Sequence, residues 1–394
     1  MDFTGKKLVH TPEGVRDIYG QEFASKLHIQ SMIRSKLNEF GYQDIQTPSF
    51  EFFDVFGHEV GTTPSKELYK FFDKEGNTLV LRPDFTPSIA RCAAKYFMDE
   101  DIPLRFCYSG NNYINTNNLQ GKLKETTQMG AELIGDSSAQ ADAEMIAMLV
   151  ETLKAVGLKD FQVSIGQIEF VKGLCAQINL DEDTEYALRE FISVRNTFGA
   201  EELLSGKGID SDDIAAILKV SELFGSYEII EEARKVANNK RSNEALDRLC
   251  KVYELLKLYG VEEYISFDLG MVSKYNYYTG VIFSAYTYQA GSAIAKGGRY
   301  DNLLEKFGKP SAATGFVMLV DDLMTAMQRQ KICPVPENKN ILVLYKNDYS
   351  KALSVARDYR KNGYAVTLMF EEKEKENYEI FAKEHHFMKI VDAE

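Results

Sequence analysis

The chain has 394 residues, 44% of them hydrophobic and 27% charged, and a formal net charge of −13 at pH 7. Its length exceeds what one core organises and predicts two or three domains. The acidic balance argues against general nucleic-acid binding, and so against a tRNA or DNA partner, because neutralising phosphates takes a basic face.

The first residues, MDFTGKKLVHTPEGVRD, hold no apolar stretch of the signal-peptide kind. No uninterrupted run of about 18 apolar residues follows anywhere, so neither a secretory signal nor a membrane span is expected, and the cytoplasm is the expected compartment. Glu22 to Phe40 carries apolar side chains at helical spacing and stops at Gly41, after which YQDIQTPSFEFFDVF turns to strand-like alternation broken by Pro48. ELYKFFDKEGNTLVLRPD predicts two strands joined at Glu75, Gly76 and Asn77, since Gly and Asn tolerate the positive φ of tight hairpins. A helix from about Pro87 to Tyr96 follows.

The stretch YSGNNYINTNNLQGK, Tyr108 to Lys122, predicts a short strand, a long polar loop and the start of another strand. Between Arg105 and Lys122 it offers no cation for a phosphate and no carboxylate for a metal or an amine. KETTQMGAELIG pairs with it as the next strand, and AQADAEMIAMLVETLKAVG is an amphipathic helix closed by Gly157. FQVSIGQIEF predicts a strand, and from about Val171 to Tyr259 the pattern is helical throughout, with Ser242 or Asn243 as the N-cap of the last helix.

Strands return with YISFDLGM, YYTGVIFSAYTY and SAIAKGG, and a helix is predicted from about Gly315 to Gln330. CPVPENKN is a linker by its prolines and polarity. Beyond it, strand and helix alternate to the end, which predicts a small parallel α/β unit over residues 340–394.

Three stretches concentrate chemistry: LRPDFTPSIAR (Leu81 to Arg91), TTQMGAELIG (Thr126 to Gly135), and KYNYYTGVIF with AKGGRYDNLL (Lys274 to Phe283 and Ala295 to Leu304). In order and spacing they resemble the catalytic core of the histidyl-tRNA synthetases. The resemblance implies an α+β fold of the class II aminoacyl-tRNA synthetase kind over residues 8–330: an antiparallel sheet with flanking helices, carrying a helical insertion at about 171–259. GYQDIQTPSFE resembles the family's dimer motif and implies a homodimer.

Laid on this chain position by position, the resemblance puts Ile114 and Thr116 where active synthetases carry the Arg and Glu that hold ATP. Ser273 and Asn276 stand for an Arg and an Asp before the double tyrosine, and Asp322 for the Arg that stacks on adenine. Activation builds negative charge on a phosphate, and losing one preorganised cation typically removes two or three powers of ten in rate. No adenylation, no catalytic residue and no cofactor are therefore expected. Lys122, Lys124 and Lys274 lie near enough in sequence to act as relocated cations.

The amino-acid pocket is kept. By the resemblance Asp84 and Glu132 pair with an ammonium, Gln128 and Thr86 orient it, and Tyr277 and Tyr278 flank a ring, so histidine is the expected ligand. The structural alternative for each residue alone is core or turn.

A synthetase-like chain with the amino-acid site kept and the ATP site dismantled resembles the regulatory subunits of ATP phosphoribosyltransferase. That implies partnership with a short-form catalytic subunit in the first step of histidine biosynthesis, and feedback by histidine as effector. The alternatives are a histidyl-tRNA synthetase and a free-standing histidine-sensing paralogue. The 340–394 unit is too short for a synthetase's anticodon-binding domain and is either a degenerate remnant or a packing module. The five cysteines (Cys92, Cys107, Cys175, Cys250, Cys333) are scattered without CxxC, which predicts free thiols and no metal site, and His10, His58, His385 and His386 are expected at the surface or in local hydrogen bonds.

Overall fold

The computed structural model describes residues 9–57, 63–116, 122–271, 277–332 and 334–393. Ser273, Lys274, Asn276, His58 and Cys333 lie outside these, as does the centre of the Tyr108 to Lys122 loop. Contacts divide the chain into two compact units: Met1–Asp17 with Ile29–Ile332, and Ile18–His28 with Cys333–Glu394. Among the described residues no helix is long and apolar enough to cross a membrane.

The elements of the larger unit run α1 (Gly20–Glu39, begun in the smaller unit), β1 (Gln43–Asp44), β2 (Phe50–Phe52), β3 (Lys70–Phe72), β4 (Thr78–Leu81), α2 (Thr86–Tyr96), β5 (Leu104–Tyr113), β6 (Glu125–Ile134), α3 (Ala139–Ala155) and β7 (Phe161–Gln167). Helices α4 (Ile168–Gln177), α5 (Glu182–Ser193), α6 (Thr197–Gly206), α7 (Ser211–Val220), α8 (Ile229–Val236) and α9 (Lys240–Tyr259) follow, interrupted by β8 (Phe224–Gly225). The unit closes with β9 (Ile265–Asp268), β10 (Val281–Thr287), β11 (Ala295–Arg299), β12 (Ala313–Leu319) and α10 (Val320–Arg329).

Nine strands form one sheet in the order β1-β5-β6-β12-β11-β10-β7-β9-β8. The six strands from β5 to β7 pair antiparallel, while β1 on β5 and β9 on β7 pair parallel at the edges. A strand's side chains alternate between faces, and the sequence divides accordingly. Met129, Ala131 and Leu133 of β6 and Phe316 and Met318 of β12 join the main core. That core also takes Ile29, Ile33 and Leu37 of α1 and most of α3, whose apolar residues are buried while Gln140 and Lys154 face out. The other face presents Gln128, Gly130 and Glu132 and is bordered by α2. A separate three-stranded sheet, β2-β4-β3, leads into α2.

Five expectations are corrected. The helix predicted from Gly315 begins at Val320, and the preceding residues form β12 at the centre of the sheet, because a short apolar run such as GFVML carries no period that separates strand from buried helix. Strand β5 runs ten residues, through Asn111 and Asn112: their side chains bond Glu125 and Thr127, and Thr126 and the Pro83 carbonyl, so cross-strand partners override the low strand propensity of Asn. The long strand predicted over FQVSIGQIEF ends at Gln167, whose side chain caps α4, and the helical insertion is broken by the two-residue β8 on β9. The N-cap of α9 is Asn239, which accepts from Ser242 N at 2.7 Å, while Ser242 Oγ donates to the Phe170 carbonyl.

The smaller unit contains β13 (Asn340–Tyr345), α11 (Tyr349–Lys361), β14 (Ala365–Phe370), α12 (Lys375–Glu384) and β15 (Lys389–Asp392). Its sheet is parallel, ordered β14-β13-β15. Alternate residues of β13 face opposite clusters, Ile341 and Val343 with Ala352 of α11, Leu342 and Leu344 with Tyr378 of α12. His385 and His386 are exposed here.

Candidate functional site

The polar face of the large sheet opens into a cleft of about 950 Å³. Asp84, Thr86, Gln128, Glu132, Tyr277 and Tyr278 all line it. Chain entry to α2 sets the first two. Arg82, buried after β4, donates to the carbonyls of Thr47, Pro48 and Asn111 and lies 4.0 Å over the Phe85 ring, which stacks on Tyr108 at 4.5 Å. This anchor fixes the turn in which the Asp84 carboxylate accepts from Thr86 N at 3.2 Å, at the N-terminus of α2 where a negative charge is favoured.

Glu132, only 1% exposed, stands on β6 with both carboxyl oxygens engaged. Thr86 Oγ1 donates to Oε1 at 2.7 Å and the Tyr300 hydroxyl donates to Oε2. Burial pushes the Glu132 carboxyl up to about 8; the bonds from Tyr300 and Thr86 oppose the rise and the nearby Asp84 charge adds to it. Burial, then the Glu132 charge, raises the Tyr108 and Tyr300 hydroxyls well above their ordinary range, so both remain protonated donors. Tyr277 packs against Tyr278 at 4.6 Å and edge-on to Tyr300 at 5.9 Å.

The floor is made of glycine because the side chains above it leave no room. A Cβ on Gly110 would meet Arg82 and Phe85, one on Gly130 the Tyr108 hydroxyl, and one on Gly298 the Tyr278 ring, all within 3 Å. Gln128 Oε1, on a cleft-lining residue, and the Tyr108 hydroxyl, buried over Gly130, have no hydrogen-bond partner among the described residues.

The outer end is different in charge. Arg16, Lys122, Lys124 and Arg329 line the cleft with Asp321, Asp322, Ile114 and Thr116, and Lys296 stands on the β11 row between Gln128 and Glu132. Asp321 accepts from Thr127 N at 2.6 Å and so ties α10 to β6. Burial raises the Asp322 carboxyl and Asp321 adds to that, while Lys296 and Lys122 pull it down. Inside, therefore, are two acids and aromatic rings; outside is a rim of mostly cations. Such a cleft takes an ammonium inward and an anion outward, and among the described residues no three His, Cys, Asp or Glu side chains converge as a metal site.

Sequence reasoning missed Tyr300, Lys296, Arg16 and Arg329 as lining residues, and Tyr108 as the buried ring that stacks on Phe85. Tyr300 lay inside the GGRYD motif and was findable there; the isolated cations carried no local signal.

The histidyl-tRNA synthetase family model matches residues 14–323. The ATP phosphoribosyltransferase regulatory subunit of Acetivibrio thermocellus is 42% identical over 91% of this chain and 86% of its own length. That of Thermoanaerobacter pseudethanolicus is 39% identical over 98% of this chain and all of its own. A solved structure described as an ATP phosphoribosyltransferase regulatory subunit/histidyl-tRNA synthetase from Bacillus halodurans superposes with a TM-score of 0.88 at 34% identity, covering 98% of each chain. With its mixed sheet, flanking helices and a cleft of this composition, the chain belongs to the family of ATP phosphoribosyltransferase regulatory subunits, which are built on the histidyl-tRNA synthetase fold.

Proposed function

We propose that the chain is a non-catalytic subunit which binds histidine in this cleft and, assembled as a homodimer with the short-form catalytic subunit of ATP phosphoribosyltransferase, imposes feedback inhibition on the first step of histidine biosynthesis. One observation carries the reading: the inner cleft joins two carboxylates, Asp84 and Glu132, to a buried Gln128 Oε1 that has no hydrogen-bond partner among the described residues and to a pair of tyrosine rings. That set suits an amino acid with a flat side chain. The ammonium lies between the acids, Thr86 and Gln128 orient it, and Tyr277 and Tyr278 flank the imidazole.

The non-catalytic part of the reading rests on Ile114, Thr116 and Asp322. None supplies positive charge, and at Asp322 a carboxylate stands on the cleft wall where an adenylating site places a cation. ATP and phosphoribosyl pyrophosphate bind on the partner, which performs the chemistry. No tRNA and no membrane is needed.

The test is histidine inhibition of the reconstituted complex. Glu132→Ala removes one partner of a desolvated ammonium, which typically costs about 2 to 4 kcal/mol, or roughly thirty- to a thousandfold in affinity. The complex should assemble and turn over normally but need far more histidine to be inhibited, since coupling between two sites is reciprocal. Tyr278→Ala should act in the same direction. If both variants assemble and are inhibited like the unmodified complex, histidine acts elsewhere.

A further inference from the structure

We propose that Lys296 is the residue that binds the carboxylate of the amino acid held in this cleft, and so distinguishes an amino acid from the corresponding amine or amino alcohol. The inference rests on the histidine reading above and assigns it a residue.

An α-amino acid carries its carboxylate one carbon away from its ammonium. If the ammonium sits between Asp84 and Glu132, the carboxylate must come to rest within a few ångströms of two acids. A buried anion so placed needs a cation. Among the described residues five line the cleft, and the strand register ranks them.

Gly130 of β6 pairs with Val317 of β12, and Val317 pairs with Lys296 of β11. Lys296 therefore stands on the row that passes between Gln128 and Glu132, and it is a cleft-lining residue like both. Two strand spacings put its Cα about 10 Å from β6. Its side chain rises from the same face of the sheet as those of Gln128 and Glu132, so its ammonium reaches the space above that face where a carboxylate attached to the bound ammonium would lie.

The other cations are farther from the inner end. Lys124 precedes Gln128 by four residues, about 13 Å along an extended chain, and Lys122 lies beyond it. Arg329, at the far end of α10, donates to the Gln289 carbonyl. Arg16 lies before α1 on the outer rim. On the face they share, Val317 stands between Lys296 and Gly130, while the places over Gly298 and Gly315 are taken by the Tyr278 ring and the Glu132 carboxylate. Asp322 holds Lys296 at the cleft wall by charge, since the Lys296 ammonium is one of the two that lower the Asp322 carboxyl.

Calorimetric titration of the full chain with histidine and with histidinol, which keeps the ring and ammonium but has a hydroxymethyl group for the carboxylate, tests this. The unmodified protein should bind histidine at least about thirtyfold more tightly. Lys296→Met should lose most of that preference, weakening histidine by about thirty- to a hundredfold and histidinol by no more than about threefold, and Lys296→Arg should restore part of it. A Lys296→Met protein that keeps the preference, or that loses both ligands equally, overturns the assignment. Glu132→Ala separates the two levels: if it loses both ligands while Lys296→Met keeps the preference, the cleft reading stands and the Lys296 assignment falls. If Glu132→Ala binds histidine normally, both fall.

Discussion

A side chain on Gly315 would collide with Glu132: its Cβ would stand 1.7 Å from Glu132 Oε2 and 2.7 Å from the Ala131 carbonyl. Gly315 lies opposite Glu132 in the β6–β12 pairing, so the two residues share one place on the cleft face and only one of them can occupy it.

Gly315→Ala should therefore expel the Glu132 carboxylate from its bonds to Thr86 and Tyr300 or force the strands apart. Overpacking of this kind costs about 1 to 3 kcal/mol, and histidine affinity should fall with it. Urea unfolding and calorimetric titration measure the two. The comparison is Gly206→Ala at the end of α6, where nothing lies within 4 Å: histidine affinity should not move and stability should rise by up to about 1 kcal/mol.

Glu132 also predicts a pH dependence with a definite sign. Its carboxyl is raised from 4.5 to about 8 by burial, so between those values the folded protein holds a proton that the unfolded chain has released. The resulting stability is present below pH 4.5 and is lost as pH rises through 8. Glu132→Gln should match the unmodified protein in melting temperature near pH 4.5 and exceed it at pH 8.5. Pairing with an ammonium requires the ionised form, so histidine binding at pH 7 should release a proton, seen as a dependence of calorimetric enthalpy on buffer ionisation. Equal enthalpies across buffers at pH 7 would contradict it.

The purified chain should catalyse no histidine-dependent exchange of pyrophosphate into ATP. Exchange above background would mean that Lys122, Lys124 or Arg16 at the rim serves as a relocated phosphate-binding cation, and would restore a synthetase reading.

For the homodimer, the sheet β2-β4-β3 offers a surface to change. Phe52 and Phe71 both lie opposite Leu79, so with Phe50, which packs edge-on to Phe71 at 5.7 Å, they share one face, and all three rings are exposed. Phe50 lies in the dimer-like segment GYQDIQTPSFE. Light scattering at micromolar concentration should give twice the chain mass, and Phe50→Asp with Phe52→Asp should halve it. An unmodified protein of single-chain mass would count against the dimer.

How much of this was legible beforehand follows from where each signal resides. Helix α3 and the alternating C-terminal unit were readable because their periodicity is local and their caps are in sequence. Strand β12 was not, because its place at the sheet centre depends on Gly315 and on Gly298 of β11 leaving room for Glu132 of β6 and for the Tyr278 ring ahead of β10, a relationship between segments far apart in the chain. The candidate residues from Asp84 to Tyr278 came from motifs. Tyr108 sat in a stretch read for its asparagines, and Lys296, a single lysine in a strand, looks like any solvated side chain until register places it.

A buried ion cluster behind the cleft gives the last prediction. Asp142 of α3, 1% exposed, accepts from Arg299 Nε at 2.9 Å on one oxygen and from Arg248 Nε and Nη2 at 2.9 and 2.7 Å on the other. Arg299 belongs to β11 and adjoins Tyr300; Arg248 belongs to α9. One carboxylate thus joins the sheet, the core helix and the helical insertion. Arg299 is spread further, onto the carbonyls of Asp136 and Ser138 and the carboxylate of Asp301. Removing the shared anion leaves the buried Arg299 guanidinium with two carbonyls and the partly exposed Asp301 carboxylate, and breaking a buried pair in this way costs up to about 3 to 5 kcal/mol. Asp142→Asn should reach that range in urea unfolding, whereas Arg248→Met should cost less, because Arg248 is partly exposed and Asp142 keeps Arg299. If the cluster also holds β11 in register for Tyr300, then Asp142→Asn should weaken histidine binding, and Arg248→Met should leave it nearly unchanged. Equal losses of stability in the two variants would mean that the shared carboxylate has no special place in the cluster.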